Sequence, residues 1–282
     1  MGEALQHGEM LGPYRILLPL GEGGQGQVYR ALGPDGAIVA LKHLTDGRRL
    51  EVELEVARRV HSPFVARLLH ASAEPPLVAY EFIEGEALRS SETRSLAEVC
   101  LIADSVLRGL SDLHAAGVLH RDVKPSNVLV CSVADRPPAV LIDLGVAKVG
   151  GHRAMTKSGV RIGTPGFAAP EQLDSGTRAD ERSDIYGAGM LLYRLLSGRF
   201  PFDEGSYERM LIGAARHGRT PLREHMPQIP APLAAVVDRA VRRDPLSRFE
   251  SAVAMLTALR ASMSLGEYAS QSKLSVQTLR RT

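Results

Sequence analysis

A cluster of charged and polar residues lies between two apolar runs in the stretch VLHRDVKPSNVLV. Five such side chains fall within eight positions: His120, Arg121, Asp122, Lys124 and Asn127. A carboxylate can accept a proton, an ammonium group can bind an anion, and an amide oxygen can bind a hard cation. The stretch therefore predicts a rigid loop with a chemical function. The alternative for Asp122 is a structural cap, because it follows a helix that ends at Gly117.

A second candidate site is the glycine-rich turn GEGGQGQV, which contains Gly21, Gly23, Gly26 and Val28. Glycines between two strands let backbone amides approach phosphate oxygens, because no Cβ stands in the way. A flexible hairpin is the alternative explanation of the same glycines. A dinucleotide-binding turn requires a helix directly after the glycines, and the strand-like QVYRAL that follows argues against it.

The next strand carries Lys42 at the end of VALK, with its side chain on the same side as that of Ala40. A lone lysine on a strand is usually solvated, but this one faces an otherwise apolar region one strand after a glycine loop. Such a lysine needs a counter-charge, which bound phosphates and a glutamate on a helix would supply.

The elements that would position these residues change character along the chain. The first third has strand patterns around one short helix in RRLEVELEVARRV, whose apolar residues recur at intervals of three and four. From about Leu96 helical periodicity dominates, beginning with a long amphipathic helix that opens on a serine cap. A strand-rich lobe therefore precedes a larger helical lobe, with a hinge near residues 81–85. Ligands usually bind in the cleft between two such lobes.

Five motifs occur in the order and structural context typical of the eukaryotic-type protein kinases: GEGGQGQV, VALK, HRDVKPSN, DLG and APE. The chain resembles this family over about residues 14–262, and within it the bacterial Ser/Thr members. The resemblance implies an α+β, two-lobed fold. A small antiparallel β-sheet lobe with one helix would span residues 14–80, and a mainly α-helical lobe residues 86–262. Residues 1–13 would form an N-terminal extension and residues 263–282 a polar tail or linker.

The resemblance also implies a role for each polar residue of the cluster. Asp122 would accept the proton of the substrate hydroxyl, and Lys124 would contact the γ-phosphate of ATP. Asn127 and Asp143 would hold Mg²⁺, with Mn²⁺ as a second candidate, because hard oxygen ligands suit these ions. The glycine turn and the VALK lysine would bind the other phosphates, and His120 would pack in the core.

A lysine-proline pair after the catalytic aspartate, and the segment GTPGFAAPE, imply protein substrates with Ser or Thr hydroxyls. In that segment Thr164 would hydrogen-bond Asp122 and Lys124. The basic activation segment before it carries Thr156 and Ser158 at a spacing where the bacterial kinases often carry a phosphorylated pair. The resemblance therefore predicts autophosphorylation in trans at Thr156, with Ser158 second, through self-association of two chains.

Further positions match the family's scaffold and its adenine pocket. Glu171 of APE would form a buried ion pair with Arg248, for which a solvated surface pair is the alternative, and Asp184 would cap the backbone of the catalytic loop. Glu81 and Ile83 would offer backbone hydrogen bonds to adenine. The apolar lining would comprise Leu20, Val28, Ala40, Tyr80, Leu129 and Ile142.

The resemblance also implies a glutamate on the helix of the first lobe that would pair with Lys42, at a spacing set by the family. Counting ten residues back from Pro63 gives Glu53. Glu51 and Glu55 lie one turn apart and share a face, so Glu53 points elsewhere. All three remain candidates. Only 11 positions separate Lys42 from Glu53, which is shorter than usual for the family and implies a helix that lacks its first turns.

Composition limits the other possible functions. The net charge of +2, from 34 basic and 32 acidic residues, gives no electrostatic reason to expect binding to nucleic acid or to a membrane surface. The two cysteines form no metal-type pair, and no run is long and apolar enough to span a bilayer. A cytoplasmic protein without a membrane segment is expected.

Three functions compete for this sequence. The first is an ATP-dependent Ser/Thr protein kinase. The second is a kinase-like scaffold that binds nucleotide without catalysis, which the loss of a catalytic residue would favour; Lys42, Asp122, Asn127 and Asp143 are all present. The third is a small-molecule kinase, against which the peptide-docking segment GTPGFAAPE argues.

Overall fold

The computed structural model of the chain divides into two compact units, Met1–Glu84 and Gly85–Thr282. The residues described are 4–23, 26–45, 50–89, 94–143, 165–173, 179–202, 213 and 218–263, without the side chains of residues 52, 53, 165 and 173. The division falls within the range where the sequence places a hinge. No helix in the described ranges is both long enough and apolar enough to cross a membrane.

The N-terminal unit contains a six-stranded antiparallel sheet in the order β1-β2-β3-β4-β6-β5 and one helix, α1 (Leu50–Arg59). Its strands are β1 (Met10–Leu11), β2 (Tyr14–Gly23), β3 (Gly26–Leu32), β4 (Ile38–Leu44), β5 (Leu68–Ala73) and β6 (Pro76–Glu81). The turn between β3 and β4 contains Pro34, Asp35 and Gly36, residue types that favour turns. Gly36 has a φ of 80°, and the Asp35 carboxylate accepts a hydrogen bond from the Ala37 N–H.

The register of this sheet separates a core face from a second, mixed face. Val28 lies opposite Lys42, and Ala40 lies opposite Tyr80, so these four side chains share one face. Helix α1 packs on the same face, where its Leu50 clusters with Leu44 and Val78. The other face is the apolar core, formed by Leu11, Tyr14, Ile16, Tyr29, Ala31, Val39, Leu41, Leu77 and Ala79.

Residues 4–11, which the sequence places in an extension, join the edge of this sheet. The Leu5 N–H donates to the Tyr29 hydroxyl at 3.1 Å, and the Gly8 N–H donates to the Ile16 carbonyl at 2.8 Å. Strand β1 pairs with β2, and Leu11 belongs to the apolar core. The sequence did not predict this strand.

The C-terminal unit contains helices and a small three-stranded sheet in the order β7-β8-β9. The strands are β7 (Gly85–Ala87), β8 (Val128–Cys131) and β9 (Ala139–Leu141). The helices are α2 (Leu96–Ala115), α3 (Pro170–Leu173), α4 (Glu181–Ser197), α5 (Leu222–His225), α6 (Ala231–Ala240) and α7 (Ala252–Ala261). Of residues 203–218, the structure describes only Gly213 and Gly218.

Helices α2 and α4 form the centre of this unit because both are buried along most of their length. The predicted serine cap of α2 is present. Ser95 and Glu98 exchange hydrogen bonds in a capping box, which satisfies two backbone N–H groups at the start of the helix. Helix α4 starts at an Asp180 cap and ends at Gly198, whose φ is 69°. These two helices carry the loops described next.

Candidate active site

The loop between α2 and β8 brings together three predicted site residues, two of them catalytic and one a metal ligand. The Oδ2 atom of Asp122 accepts a hydrogen bond from Lys124 Nζ at 2.7 Å and another from Asn127 Nδ2 at 3.0 Å. The same Asn127 amide donates to the Asp122 carbonyl oxygen at 2.9 Å. An ammonium group and an amide therefore both lie within hydrogen-bonding distance of one carboxylate, on a loop closed by a single 3-10 turn, Pro125–Asn127.

A buried carboxylate in the first turn of α4 holds this loop. Asp184 is 1% exposed and accepts backbone hydrogen bonds from His120 at 2.8 Å and from Arg121 at 2.6 Å. It is also bonded to His114 Nε2 at 2.9 Å. This is the capping contact that the sequence predicts for Asp184. The contribution of His114 was missed, although its position in the last turn of the helix before the loop was a signal.

Close backbone packing reinforces this attachment. A Cβ on Gly187 of α4 would lie 2.9 Å from the Cβ of Val123, so only glycine permits this approach of helix and loop. His120 is fully buried, and its Nδ1 accepts a hydrogen bond from the Asp122 N–H at 3.3 Å. The structure thus places His120 in the core, as the sequence predicts.

The two predicted metal ligands, Asn127 and Asp143, lie on backbone segments that are hydrogen-bonded to each other. The Ile142 N–H donates to the Asn127 carbonyl at 3.0 Å, and Asp143 comes directly after Ile142. Asp143 has a φ of 53°, a left-handed conformation that non-glycine residues seldom adopt. The Asn127 amide nitrogen donates to Asp122, so its Oδ1 is the atom that could bind a cation.

These donors fit the chemistry of a phosphate-bound magnesium ion. Mg²⁺ is usually bound through one or two carboxylates together with substrate phosphates, rather than by an all-protein cage. Within the described ranges, no group of three or more His, Cys, Asp or Glu side chains could hold a metal ion. A carboxylate and an amide oxygen on adjacent backbone therefore suit a metal that arrives with a nucleotide.

The predicted ion pair between Glu171 and Arg248 is present and buried. The two N–O distances are 2.6 and 2.9 Å, and the Arg248 side chain is 0% exposed. Burial alone would raise the pKa of Glu171, but the hydrogen bonds and charge of Arg248 hold it below its ordinary value. Ser183 Oγ also donates to Glu171, at 2.8 Å. The remaining Arg248 hydrogen bonds go to the carbonyls of Arg182, Arg242 and Arg243.

In the N-terminal unit, Lys42 is 6% exposed and lies on the mixed face of the sheet. The glycine turn before it requires Gly26, where a Cβ would lie 1.9 Å from the His43 carbonyl oxygen and φ is 141°. Gly21 and Gly23 belong to the same β2–β3 hairpin, in which Gly23 pairs with Gly26.

The structure describes the exposure of two of the three candidate partners of Lys42. Glu51 and Glu55 are exposed, and the Glu55 carboxylate forms an ion pair with Arg59 one turn later. Both therefore face solvent. The side chain of Glu53 lies outside the described residues, so its pairing with Lys42 stays a prediction.

The predicted adenine-pocket residues differ in burial within their own units. Ile83 is 5% exposed, whereas Leu20 is 46% exposed on β2. The others are partly buried, as is the hinge residue Glu81: Val28, Ala40, Tyr80, Leu129 and Ile142. The activation-segment residues Thr156, Ser158 and Thr164 lie outside the described residues.

The family model described as the protein kinase domain matches residues 14–258. The chain belongs to the protein kinase family. The similar curated kinases are bacterial: serine/threonine-protein kinase pkn2 of Myxococcus xanthus is 33% identical, with 90% of this chain and 33% of that protein covered. PknJ of Mycobacterium tuberculosis is 34% identical, with 89% of this chain and 46% of that protein covered.

The fold agrees with solved kinase domains. The M. tuberculosis PknI kinase domain superimposes with a TM-score of 0.70 at 26% identity, covering 92% of this chain and 99% of that structure. The predicted two-lobed α+β kinase fold is therefore confirmed. The chain spans only about a third to a half of the length of the curated kinases that it matches.

Proposed function

We propose that the chain transfers the γ-phosphoryl group of ATP to serine or threonine hydroxyls of protein substrates. The observation that carries this proposal is the contact of Asp122 with both Lys124 and Asn127, on a loop attached to α4 through Asp184. Phosphoryl transfer demands positioning and charge neutralisation more than covalent chemistry from the protein. A pre-ordered carboxylate, cation and metal-binding amide meet that demand.

The C-terminal unit would supply the reacting groups. Asp122 accepts the proton of the incoming hydroxyl and orients its oxygen toward the phosphorus, and Lys124 binds a γ-phosphate oxygen. Asn127 and Asp143 would hold Mg²⁺, or alternatively Mn²⁺, which neutralises phosphate charge when it is bound. Glu171 and Arg248 attach the docking segment to the helical core, where Thr164 would contact the base.

The N-terminal unit would bind the nucleotide. Gly21, Gly23 and Gly26 offer backbone amides to phosphate oxygens, and Lys42 pairs with them and with Glu53. The adenine ring would meet the backbone of Glu81 and Ile83. Its apolar contacts would be Leu20, Val28, Ala40, Tyr80, Leu129 and Ile142.

Regulation would act through the activation segment. Phosphorylation adds a charge of about −1.5 to −2 and three acceptor oxygens, enough to order a basic loop against an arginine. Thr156, and secondarily Ser158, would be phosphorylated by a second copy of the chain, which requires transient self-association.

The experiment that tests the proposed function is incubation of the purified chain with labelled ATP, Mg²⁺ and a generic basic protein. A kinase yields labelled phosphoserine or phosphothreonine, and a chelator abolishes the label. Nucleotide binding without any transfer, to the substrate or to the chain itself, would instead support the scaffold function.

A further inference from the structure

Gln172 makes two hydrogen bonds that join separate parts of the C-terminal unit. Its Nε2 donates to the Arg121 carbonyl oxygen at 3.0 Å, and its Oε1 accepts from the Ala169 N–H at 2.9 Å. Gln172 lies in the short helix α3, immediately after Glu171, and is half-buried. Both ends of one side-chain amide are therefore in use.

The bond to Arg121 reaches the most constrained residue of the loop. Arg121 has a φ of 63°, a left-handed conformation that non-glycine residues adopt only where their surroundings hold them there. Its N–H is held by Asp184, and its carbonyl is held by Gln172. The peptide group that carries this carbonyl leads directly into Asp122, so its orientation sets the direction of that carboxylate.

The bond to Ala169 reaches the segment on the other side. Ala169 is fully buried and follows the turn Pro165–Phe167, within the GTPGFAAPE stretch expected to dock the substrate. The base that accepts the hydroxyl proton and the segment that presents the hydroxyl are thus linked through a single amide.

We propose that Gln172 is a positioning residue that fixes the orientation of Asp122 relative to the substrate-docking segment. This inference rests on the proposed kinase function and deepens it, because it assigns a residue to the alignment of base and hydroxyl. Gln172 acts through Arg121 and Ala169, and it contacts neither nucleotide nor substrate.

Two substitutions separate its two bonds. Gln172→Met keeps the length of the side chain and removes both bonds, whereas Gln172→Glu keeps the acceptor for Ala169 and places a carboxylate oxygen against the Arg121 carbonyl. Loss of one neutral hydrogen bond changes an equilibrium or rate constant by a factor of about 2 to 10. We expect kcat for a protein substrate to fall about 5- to 10-fold in both variants, while the Kd for nucleotide changes less than about twofold. ATP hydrolysis should fall less than transfer to protein, since hydrolysis needs no docked substrate.

A matched control is Gln228→Met, on an exposed glutamine whose amide contacts Met226 Sδ at 3.6 Å. Its kcat should equal that of the parent chain. Rates are expressed per nucleotide-binding site, so that loss of folded protein does not imitate loss of alignment. Parent-like kcat in Gln172→Glu, or equal losses in transfer and hydrolysis, would overturn the proposal.

Hydrogen exchange of the Ala169 amide gives a readout independent of activity. Exchange should accelerate in Gln172→Met and stay slow in Gln172→Glu, which retains the acceptor. If the parent chain transfers no phosphoryl group, the proposed function is wrong. Separately, an unchanged Ala169 exchange rate in Gln172→Met would show that the Ala169 N–H does not depend on a hydrogen bond to Gln172, which would overturn the positioning role.

Discussion

Removing the Arg248 guanidinium tests whether the buried ion pair holds the C-terminal unit together. Arg248→Met keeps most of the apolar side chain and deletes every donor. It leaves the Glu171 carboxylate, 6% exposed, without its cation and removes the hydrogen bonds that Arg248 donates to three backbone carbonyls. Breaking a buried pair in this way costs about 3–5 kcal/mol, because an uncompensated charge remains in a low-dielectric interior.

The matched control is Arg260→Met. It removes an arginine whose ion pair with a carboxylate is as short as that of Arg248, but whose side chain is more exposed. Arg260 Nε lies 2.6 Å from Asp104 Oδ1, yet its side chain is 40% exposed, and Asp104 keeps Arg108 as a second partner. Pairs of this kind contribute about 0.2–1 kcal/mol. Urea unfolding of the whole chain, followed by circular dichroism, compares the two variants. Equal losses of unfolding free energy in the two variants would refute the importance of burial.

The pH dependence of this loss has a definite sign. In the parent chain the folded pKa of Glu171 is lowered, so its stabilising contribution is present above the unfolded pKa and is lost as pH falls through the folded pKa. Without Arg248, burial raises that pKa, and protonation at low pH relieves the buried charge. The stability difference between parent and Arg248→Met should therefore narrow from pH 7 toward pH 4. A gap that widens over this range would contradict the assigned cause.

Two further predictions concern the metal and the activation segment. Asp143→Asn should weaken Mg²⁺-dependent ATP binding at least tenfold, because an amide cannot replace the carboxylate charge; unchanged thermal stabilisation by Mg-ATP would show that Asp143 is not a ligand. The purified parent chain should carry phosphate on Thr156 by mass spectrometry, and Thr156→Ala should lower the rate toward an added substrate several-fold. An unmodified Thr156 in active protein would end that proposal.

The sequence predicted the elements whose signals are local. The cap of α2 at Ser95 and the strand after the glycine loop each follow from short patterns of residue type. Short strands lack such a signal: β1 has two residues and β7 has three, so pairing with neighbours rather than periodicity defines them.

Site residues that belong to a motif with a known chemical role could be predicted from the sequence. Residues whose role depends only on contacts between distant segments could not. Asp184 was expected to cap the catalytic loop. The hydrogen bond between His114 and Asp184 was not foreseen, and neither were the two hydrogen bonds by which Gln172 joins the catalytic loop to the docking segment. A histidine or glutamine in a helix has many ordinary roles, and only the packing of distant segments selects among them. Likewise, sequence spacing left three glutamates as candidate partners of Lys42. The exposure of Glu51 and Glu55 to solvent argues against those two.

The most direct test of the central claim compares kcat and nucleotide affinity in Asp122→Asn. If Asp122 is the base on a pre-ordered phosphoryl-transfer loop, this variant should lose kcat by two to four orders of magnitude, since general base catalysis contributes about 10²–10⁴-fold. The Kd for Mg-ATP should stay within about twofold, because the base acts only on the transfer step. Near-parent transfer of labelled phosphate by Asp122→Asn would contradict the account.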